Sequence, residues 1–286
     1  LGFGCNVAAV MGSRVLESEH DRRVTIMVSP FISCSARLPV YVLLAGAFFP
    51  PASAGRIIFS LYLLGIVVAV VMARLLRVYV VKGPETPFVM ELPPYRLPTL
   101  KSAVIHMWTR AVLYVKKAGT IILAMSILMW FLSHYPRVPA PTGASAAEVQ
   151  REQVEHSLAG IMGRAVAPAF APIGLDHWQT AVALGAGVVA KEVVVSTLGT
   201  LYASGGNEKS AGLRAALRAD PFFTPLRAFT LMVFILLYIP CVATIAMARR
   251  ELNSWAWAAG MMAMNLGVAY LVAGAVFWGG RLLGFN

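Results

Sequence analysis

Residues 252–280 read LNSWAWAAGMMAMNLGVAYLVAGAVFWGG, the longest stretch of the chain without a charged side chain. At about 1.5 Å of rise per residue, such a run crosses a hydrocarbon core about 30 Å thick as an α-helix. Trp255 and Trp257 stand near its start and Phe277 and Trp278 near its end, where amphipathic rings settle at the two lipid-water interfaces. Working outward, Ile57 to Ala73, Ala118 to Pro136 and Ala228 to Ala248 are further uncharged runs, each bounded by Arg or Lys. Composition agrees with these runs: 58% of the 286 residues are hydrophobic and 13% charged, against about 25% charged in soluble domains. The mean hydropathy is +0.72. These values argue against a soluble enzyme and predict an all-α, polytopic transmembrane helical bundle inserted in a lipid bilayer.

The formal net charge is +11. In a polar protein this would suggest nucleic-acid binding, but no basic run interleaved with aromatics lies outside the apolar segments, so no nucleic-acid partner is expected. Lys and Arg gathered in cytoplasmic loops account for the excess. Lys82 to Lys117 carries Lys82, Arg96, Lys101, Arg110, Lys116 and Lys117 against Glu85 and Glu91, and is expected on the cytoplasmic side. Arg137 to His156 suits the outer face. Lys209 to Arg227 and Arg249-Arg250 both look cytoplasmic although one apolar run separates them, a conflict that a dip and return at Pro240-Cys241 would remove. Thr99 to Tyr114 and Ser157 to Phe170 read as helices lying in the interface. Three cysteines, each in an apolar or Gly/Pro context, are too few for a disulfide framework. The chain opens on Leu1 without an initiator Met or a signal-peptide pattern, so it is expected to be part of a longer protein.

Two apolar regions are interrupted. Val24 to Pro50 contains Pro30, Pro39 and Pro50 with Ser29, Ser33, Ser35 and Arg37 around Cys34, so a continuous helix is not expected. His177 to Ala203 carries Gly185 and Gly187 ahead of Lys191-Glu192, and reads either as one long helix with buried charges or as a hairpin of two half-helices. Broken backbone at membrane depth is tolerated only where protein or a water-filled cavity satisfies it, so the breaks point to a pathway. The pattern also repeats. Leu1-Gly2-Phe3-Gly4 resembles Leu184-Gly185-Ala186-Gly187, and Phe31-Ile32-Ser33-Cys34-Ser35-Ala36 resembles Tyr238-Ile239-Pro240-Cys241-Val242-Ala243. The expected division is a first half-repeat at 1–50, connecting spans, interfacial helices and a loop at 51–183, a second half-repeat at 184–250, and a last transmembrane helix at 251–286. Two such halves meeting near the bilayer midplane are the arrangement of many secondary carriers.

Cys5, Cys34 and Cys241 all fall at the breaks. A free cysteine packs as a small hydrophobe, but here carbonyls exposed by the breaks, with Asn6, Ser33 and Ser35 alongside, can share a cation with a thiol. Thiolate suits Fe, Zn and Cu(I) over Mg or Ca and does not choose among them. Glu192 begins a stripe with Ser196, Gly199 and Ala203, an acid at membrane depth whose functional reading is compensating charge for a metal. The alternative is that Lys191 snorkels to an interface and Glu192 pairs there. The candidate metal-contacting set is therefore Cys5, Cys34, Cys241, Glu192, Ser35 and Asn6. Gly185 to Ala190 also matches G-x-G-x-x-A, a weak dinucleotide signal with no strand pattern before it, and no P-loop is present. The histidines are scattered, and Asn265 reads as a helix-to-helix hydrogen bond.

Gly2-Phe3-Gly4-Cys5-Asn6-Val7, Ser33-Cys34-Ser35-Ala36-Arg37-Leu38-Pro39-Val40-Tyr41, Glu91-Leu92-Pro93-Pro94-Tyr95-Arg96, Ala190-Lys191-Glu192-Val193-Val194-Val195 and Pro240-Cys241-Val242-Ala243-Thr244 resemble, in order, the membrane portion of the bacterial ferrous iron transport protein B family. The likeness covers essentially the whole chain, with one departure: Ala8 stands where the family usually has proline. The resemblance implies Fe(II) as the transported substrate, carried across the bacterial inner membrane into the cytoplasm. It places the family's gate cysteines on Cys5, Cys34 and Cys241. It further implies an amino-terminal G-protein domain, where GTP and Mg would bind, and a small soluble accessory protein; a homo-oligomer is compatible with it. No enzymatic activity is expected of these residues themselves. A nucleoside or other solute carrier and a membrane-embedded cysteine enzyme are the rival readings. The first lacks polar groups to read a base and ribose, and the second lacks a base beside a cysteine.

Overall fold

The computed structural model describes residues 1–81, 99–136, 146–202 and 209–285, and among these the chain is helical with no strand. The phrase Glu91 to Arg96 and much of the two loops read for orientation lie outside the described residues. The helices are α1 (Asn6–Gly12), α2 (Glu19–Val28), α3 (Leu38–Phe48), α4 (Pro51–Tyr79), α5 (Leu100–His134), α6 (Ala146–His156), α7 (Leu158–Val166), α8 (Trp178–Val189), α9 (Val193–Leu201), α10 (Lys209–Ala219), α11 (Pro225–Leu237), α12 (Val242–Leu252) and α13 (Trp255–Leu282). Among the described residues, four stretches are long and apolar enough to cross a membrane: Glu19–Phe48, Pro51–Tyr79, Pro225–Leu252 and Trp255–Leu282.

Local chemistry explains where these helices begin. Pro51 opens α4 at a position whose amide would have no partner in any case. Thr224 caps α11 ahead of Pro225, accepting from Arg227 N, and Ser254 caps α13, accepting from Trp257 N. Only Leu61, Gly65, Ala69 and Leu76 of α4 are buried, one face of the helix, while Phe59, Leu63, Val67 and Val70 stay exposed to the surroundings. By contrast, every residue of α11 from Thr230 to Leu237 is buried. A helix apolar and covered all round is the centre of the bundle, and α13 lies along it through the small side chains Ala269 and Ala273.

The expected interruptions are present within Val24 to Pro50, at Pro240-Cys241 and within His177 to Ala203. Glu19–Phe48 breaks over residues 29–37, with 3-10 turns at Ser29–Phe31 and Ser35–Arg37 flanking extended Ile32 and Cys34. Pro225–Leu252 breaks between α11 and α12, where Tyr238 and Cys241 are extended and Pro240 has no amide to donate. This second segment continues through its break as one span and does not dip and return. His177 to Ala203 resolves as the hairpin: α8 ends at extended Ala190, and Val182 and Leu201, well up the two arms, meet in one buried cluster with Ala159. Gly187 allows it, since a Cβ there would lie 2.5 Å from Val194 Cγ2 and 2.4 Å from the Tyr238 hydroxyl.

Two expectations are corrected. Thr99 to Tyr114 is not a separate interfacial helix but the first part of α5, which runs unbroken to His134. No proline interrupts it, and Lys116-Lys117 are good helix formers. Ser157 to Phe170 is not one helix either: α7 stops at Val166 and a 3-10 turn follows. α7 and the following 3-10 turn Ala167–Ile173 meet α8 at 100° as a bent pair, turned by Gly174 at φ 71°. A Cβ on Gly163 would lie 2.3 Å from Val182 Cγ2, so the glycine is what lets α7 sit directly on α8.

Candidate functional site

The cysteines sit at helix starts within or beside the breaks. Cys5 precedes α1, Cys34 precedes the Ser35–Arg37 turn and Cys241 precedes α12, all three with extended backbone. Cys34 is buried, Cys5 and Cys241 are partly exposed, and the three do not pair as disulfides. Cys5 and Cys241 border the same apolar cluster, formed by Val7 and Val10 of α1 with Ala243, Met247 and Ala248 of α12. The Cys241 Sγ lies 3.2 Å from the Thr244 Oγ1 one turn later.

Asn6 and Ser35 tie the first break to the start of the chain. Oriented with its amide nitrogen donating, the buried Asn6 side chain reaches Ile32 O at 3.3 Å and Gly2 O at 3.2 Å. Ser35 donates its hydroxyl to Gly4 O at 2.8 Å, and its backbone amide to the same oxygen at 3.3 Å. Their donors are thus committed to backbone carbonyls that the breaks leave open. Glu192 is exposed at the start of α9 and makes no ion pair among the described residues. Among the described residues no three His, Cys, Asp or Glu side chains converge as a ligand set. The arrangement is therefore not that of a closed structural metal site, which needs about four protein ligands.

The groups that sequence reading undervalued are cations. Arg37 is fully buried and donates to Ile32 O at 3.1 Å and Pro30 O at 2.9 Å, the carbonyls freed by its own break. Lys191 is 2% exposed; its Nζ donates to Ile239 O at 2.7 Å and lies 3.2 Å from the centroid of the Tyr238 ring. The Tyr238 hydroxyl in turn donates to Leu184 O at 3.2 Å. Lys191 therefore does not snorkel to an interface: it reaches from the α8–α9 turn into the α11–α12 break. A desolvated ammonium on an aromatic face gains about 2 kcal/mol, and a hydrogen bond to a charged group gains about 1.5–3 kcal/mol. Phe31 of the first break and Tyr238 of the second lie in one buried core cluster, which brings the two breaks together inside the bundle. Beside them the Ser33 hydroxyl, the neighbouring Tyr41 phenol and Arg37 Nε are buried without a well-formed hydrogen bond among the described residues. The signal was in the sequence, since Arg37 and Lys191 are lone cations inside interrupted apolar runs.

Broken spans whose thiols, carbonyls and buried cations gather at one centre define a polytopic membrane protein of the kind that handles charge inside the bilayer. Residues 58–110 match the family model described as ferrous iron transport protein B C terminus, and residues 115–255 match one described as nucleoside recognition. The chain is 43% identical over 310 aligned residues, 97% of its length, to the Fe(2+) transport protein A/Fe(2+) transporter FeoB fusion protein of Porphyromonas gingivalis. It is 40% identical to the Fe(2+) transporter FeoB of Methanocaldococcus jannaschii and 39% identical to that of Helicobacter pylori, in each case over 99% of its length. The chain belongs to the ferrous iron transport protein B family and corresponds to its C-terminal membrane part. It spans 36%, 41% and 48% of the length of these three relatives. No solved structure matches the chain significantly.

Proposed function

We propose that these residues form the permease part of a ferrous iron transporter, carrying Fe(II) across the bacterial inner membrane into the cytoplasm. The observation that carries this reading is that the two cysteine-bearing helix breaks, at Cys34 and Cys241, share one buried core through Phe31 and Tyr238, with Cys5 on an apolar cluster that also borders Cys241. A transported ion needs sites that bind well enough to admit it and weakly enough to release it. Isolated thiols backed by hydroxyls and carbonyls meet that need better than a four-ligand cage. Fe(II) is the substrate here, not a resident cofactor. Cys5, Cys34 and Cys241 offer sulfur in turn, Ser35 and Asn6 hold the first break in shape with oxygens to spare, and exposed Glu192 supplies negative charge beside the cationic centre.

The stretches α2–break–α3–α4 and α11–break–α12–α13 have the same order of elements, each with its cysteine at the break and a two-residue turn before the long final helix. This supports an internal repeat that reaches past the division read from the sequence, with half-repeats at 1–50 and 184–250, 51–183 connecting them and 251–286 as a closing span, since the matched order takes in α4 and α13. GTP binding and hydrolysis belong to an amino-terminal G domain of the whole protein, with Mg, and a small accessory protein works alongside; the fusion named in the Porphyromonas gingivalis relative supports that link. The permease residues carry no enzymatic activity of their own.

The test is Fe(II) uptake into proteoliposomes holding the full-length transporter. Replacing Cys5, Cys34 and Cys241 together by serine is expected to cut uptake by at least about tenfold, because hydroxyl is a far poorer ligand than thiolate for a borderline metal, while insertion stays intact. Full uptake by the triple variant would return the cysteines to simple core filling. Uridine flux without metal flux would favour the nucleoside reading that the second family model's description invites.

A further inference from the structure

The Cys241 break already holds a cation, and that cation is part of the protein. Around the Lys191 Nζ stand the Ile239 carbonyl at 2.7 Å and the Tyr238 ring at 3.2 Å, with the Cys241 thiol and its Thr244 hydroxyl within reach of the charge. Carbonyl oxygen, aromatic face, thiol and hydroxyl are all groups that bind cations. The lysine comes from a different element, the α8–α9 turn, and is the sole hydrogen-bond donor recorded for Ile239 O among the described residues.

The geometry points to Lys191 as a specificity-determining residue: a tethered monovalent cation that occupies the Cys241 site at rest and yields it only to a divalent ion. This rests on the reading that ions pass Cys241. The physical argument is one of charge against tether. An incoming monovalent ion brings the same charge as the ammonium and must also shed its water, so it gains nothing over a group already in place. A divalent ion brings twice the charge to the same carbonyl, ring and thiol, and the ammonium it displaces stays close on its side chain, ready to refill the site. Because the α8–α9 turn carries the lysine, displacement also loosens the contact between the hairpin and the α11–α12 break.

The test reads charge at Cys241 without requiring transport. In the full-length protein with Cys241 kept as the sole cysteine, the thiol is labelled with a cationic methanethiosulfonate (ethylammonium) and with an anionic one (ethylsulfonate). Lys191→Met, close to isosteric, is expected to raise the cationic-to-anionic rate ratio by at least about tenfold, since a unit charge a few ångströms away in a medium of intermediate dielectric dominates the approach of a charged reagent. Lys191→Arg keeps the charge and should hold the ratio within about threefold of the parent. A general loosening of the fold would speed both reagents and leave the ratio where it was. An unchanged ratio in Lys191→Met therefore overturns the proposal. Should that variant fail to insert, Lys191→Gln, which also removes the charge but keeps a donor for Ile239 O, carries the same test, and an unchanged ratio is equally fatal. A raised ratio combined with full Fe(II) uptake by the triple serine variant would keep Lys191 at Cys241 and discard the cysteine path, so the two readings fail separately.

Discussion

The two cysteine breaks look alike in sequence and are held in opposite ways. At Cys34 the buried guanidinium of Arg37 satisfies Ile32 O and Pro30 O, both within its own segment, and Asn6 and Ser35 fasten the same stretch to the start of the chain. α4 adds a wedge, because Gly65 passes so close that a Cβ there would lie 2.7 Å from Phe31 O. At Cys241 the cation is Lys191, from a hairpin 48 residues away, and the Tyr238 hydroxyl also reaches back to that hairpin at Leu184 O. A break satisfied from within keeps its shape whatever its neighbours do. One satisfied from another element opens when that element moves. The first break thus reads as the fixed half of the centre and the second as the half that responds.

The contrast can be broken most directly at the two cations. Arg37→Leu should cost about 3 kcal/mol or more, since it removes two charged hydrogen bonds, strands Pro30 O and leaves Ile32 O to Asn6 alone. Lys191→Met should stay within about 1 kcal/mol of the parent, because the single lost hydrogen bond is offset by no longer burying a charge. Thermal unfolding of the purified protein in detergent measures both, and equal losses would end the distinction between the breaks. A step smaller is the wedge. Gly65→Ala is expected to cost about 1–3 kcal/mol by overpacking against backbone. Gly267→Ala, on the corresponding long helix α13 with nothing within 4 Å of its Cβ, should be neutral or gain up to about 1 kcal/mol of helix propensity. The smallest effect belongs to the latch between the halves. Arg14 beside α1 pairs with Glu251 at the end of α12, its Nε donating at 2.8 Å, and the carboxylate pushes the guanidinium's pKa further up. Because Arg14 is 44% exposed while the Glu251 side chain is 7% exposed, Glu251→Gln, which leaves the guanidinium in reach of solvent and no buried carboxylate, should cost no more than about 1 kcal/mol, and less again at high salt.

Much of the frame was legible beforehand because it depends on local sums. The uncharged run from Leu252 to Gly280 became α13 nearly end to end, and Ile57 to Ala73 lies within α4. The prolines at 30, 39 and 240 announced the two breaks, since a missing amide disrupts a helix wherever it sits. Pairing was not legible. Whether His177 to Ala203 formed one helix or two turned on Gly187 meeting Tyr238, a contact between residues 51 positions apart that no periodicity encodes. What α7 packs on was not legible either: the glycine that seats it on α8, Gly163 against Val182, is a contact between elements.

The site divides in the same way. That Cys5, Cys34 and Cys241 stand at interruptions of apolar segments follows from the order of residues alone, as does the membrane character of the chain. Which charge lies inside does not. Lys191 and Glu192 are neighbours with equal claims on sequence, yet they stand side by side in the α8–α9 turn with only the lysine buried. The fold buried the lysine, because a carbonyl without a donor and an aromatic face waited at the α11–α12 break. Hydropathy is a property each residue carries with it, whereas the partner that makes a buried charge affordable is supplied by another part of the chain and exists only once the chain has folded.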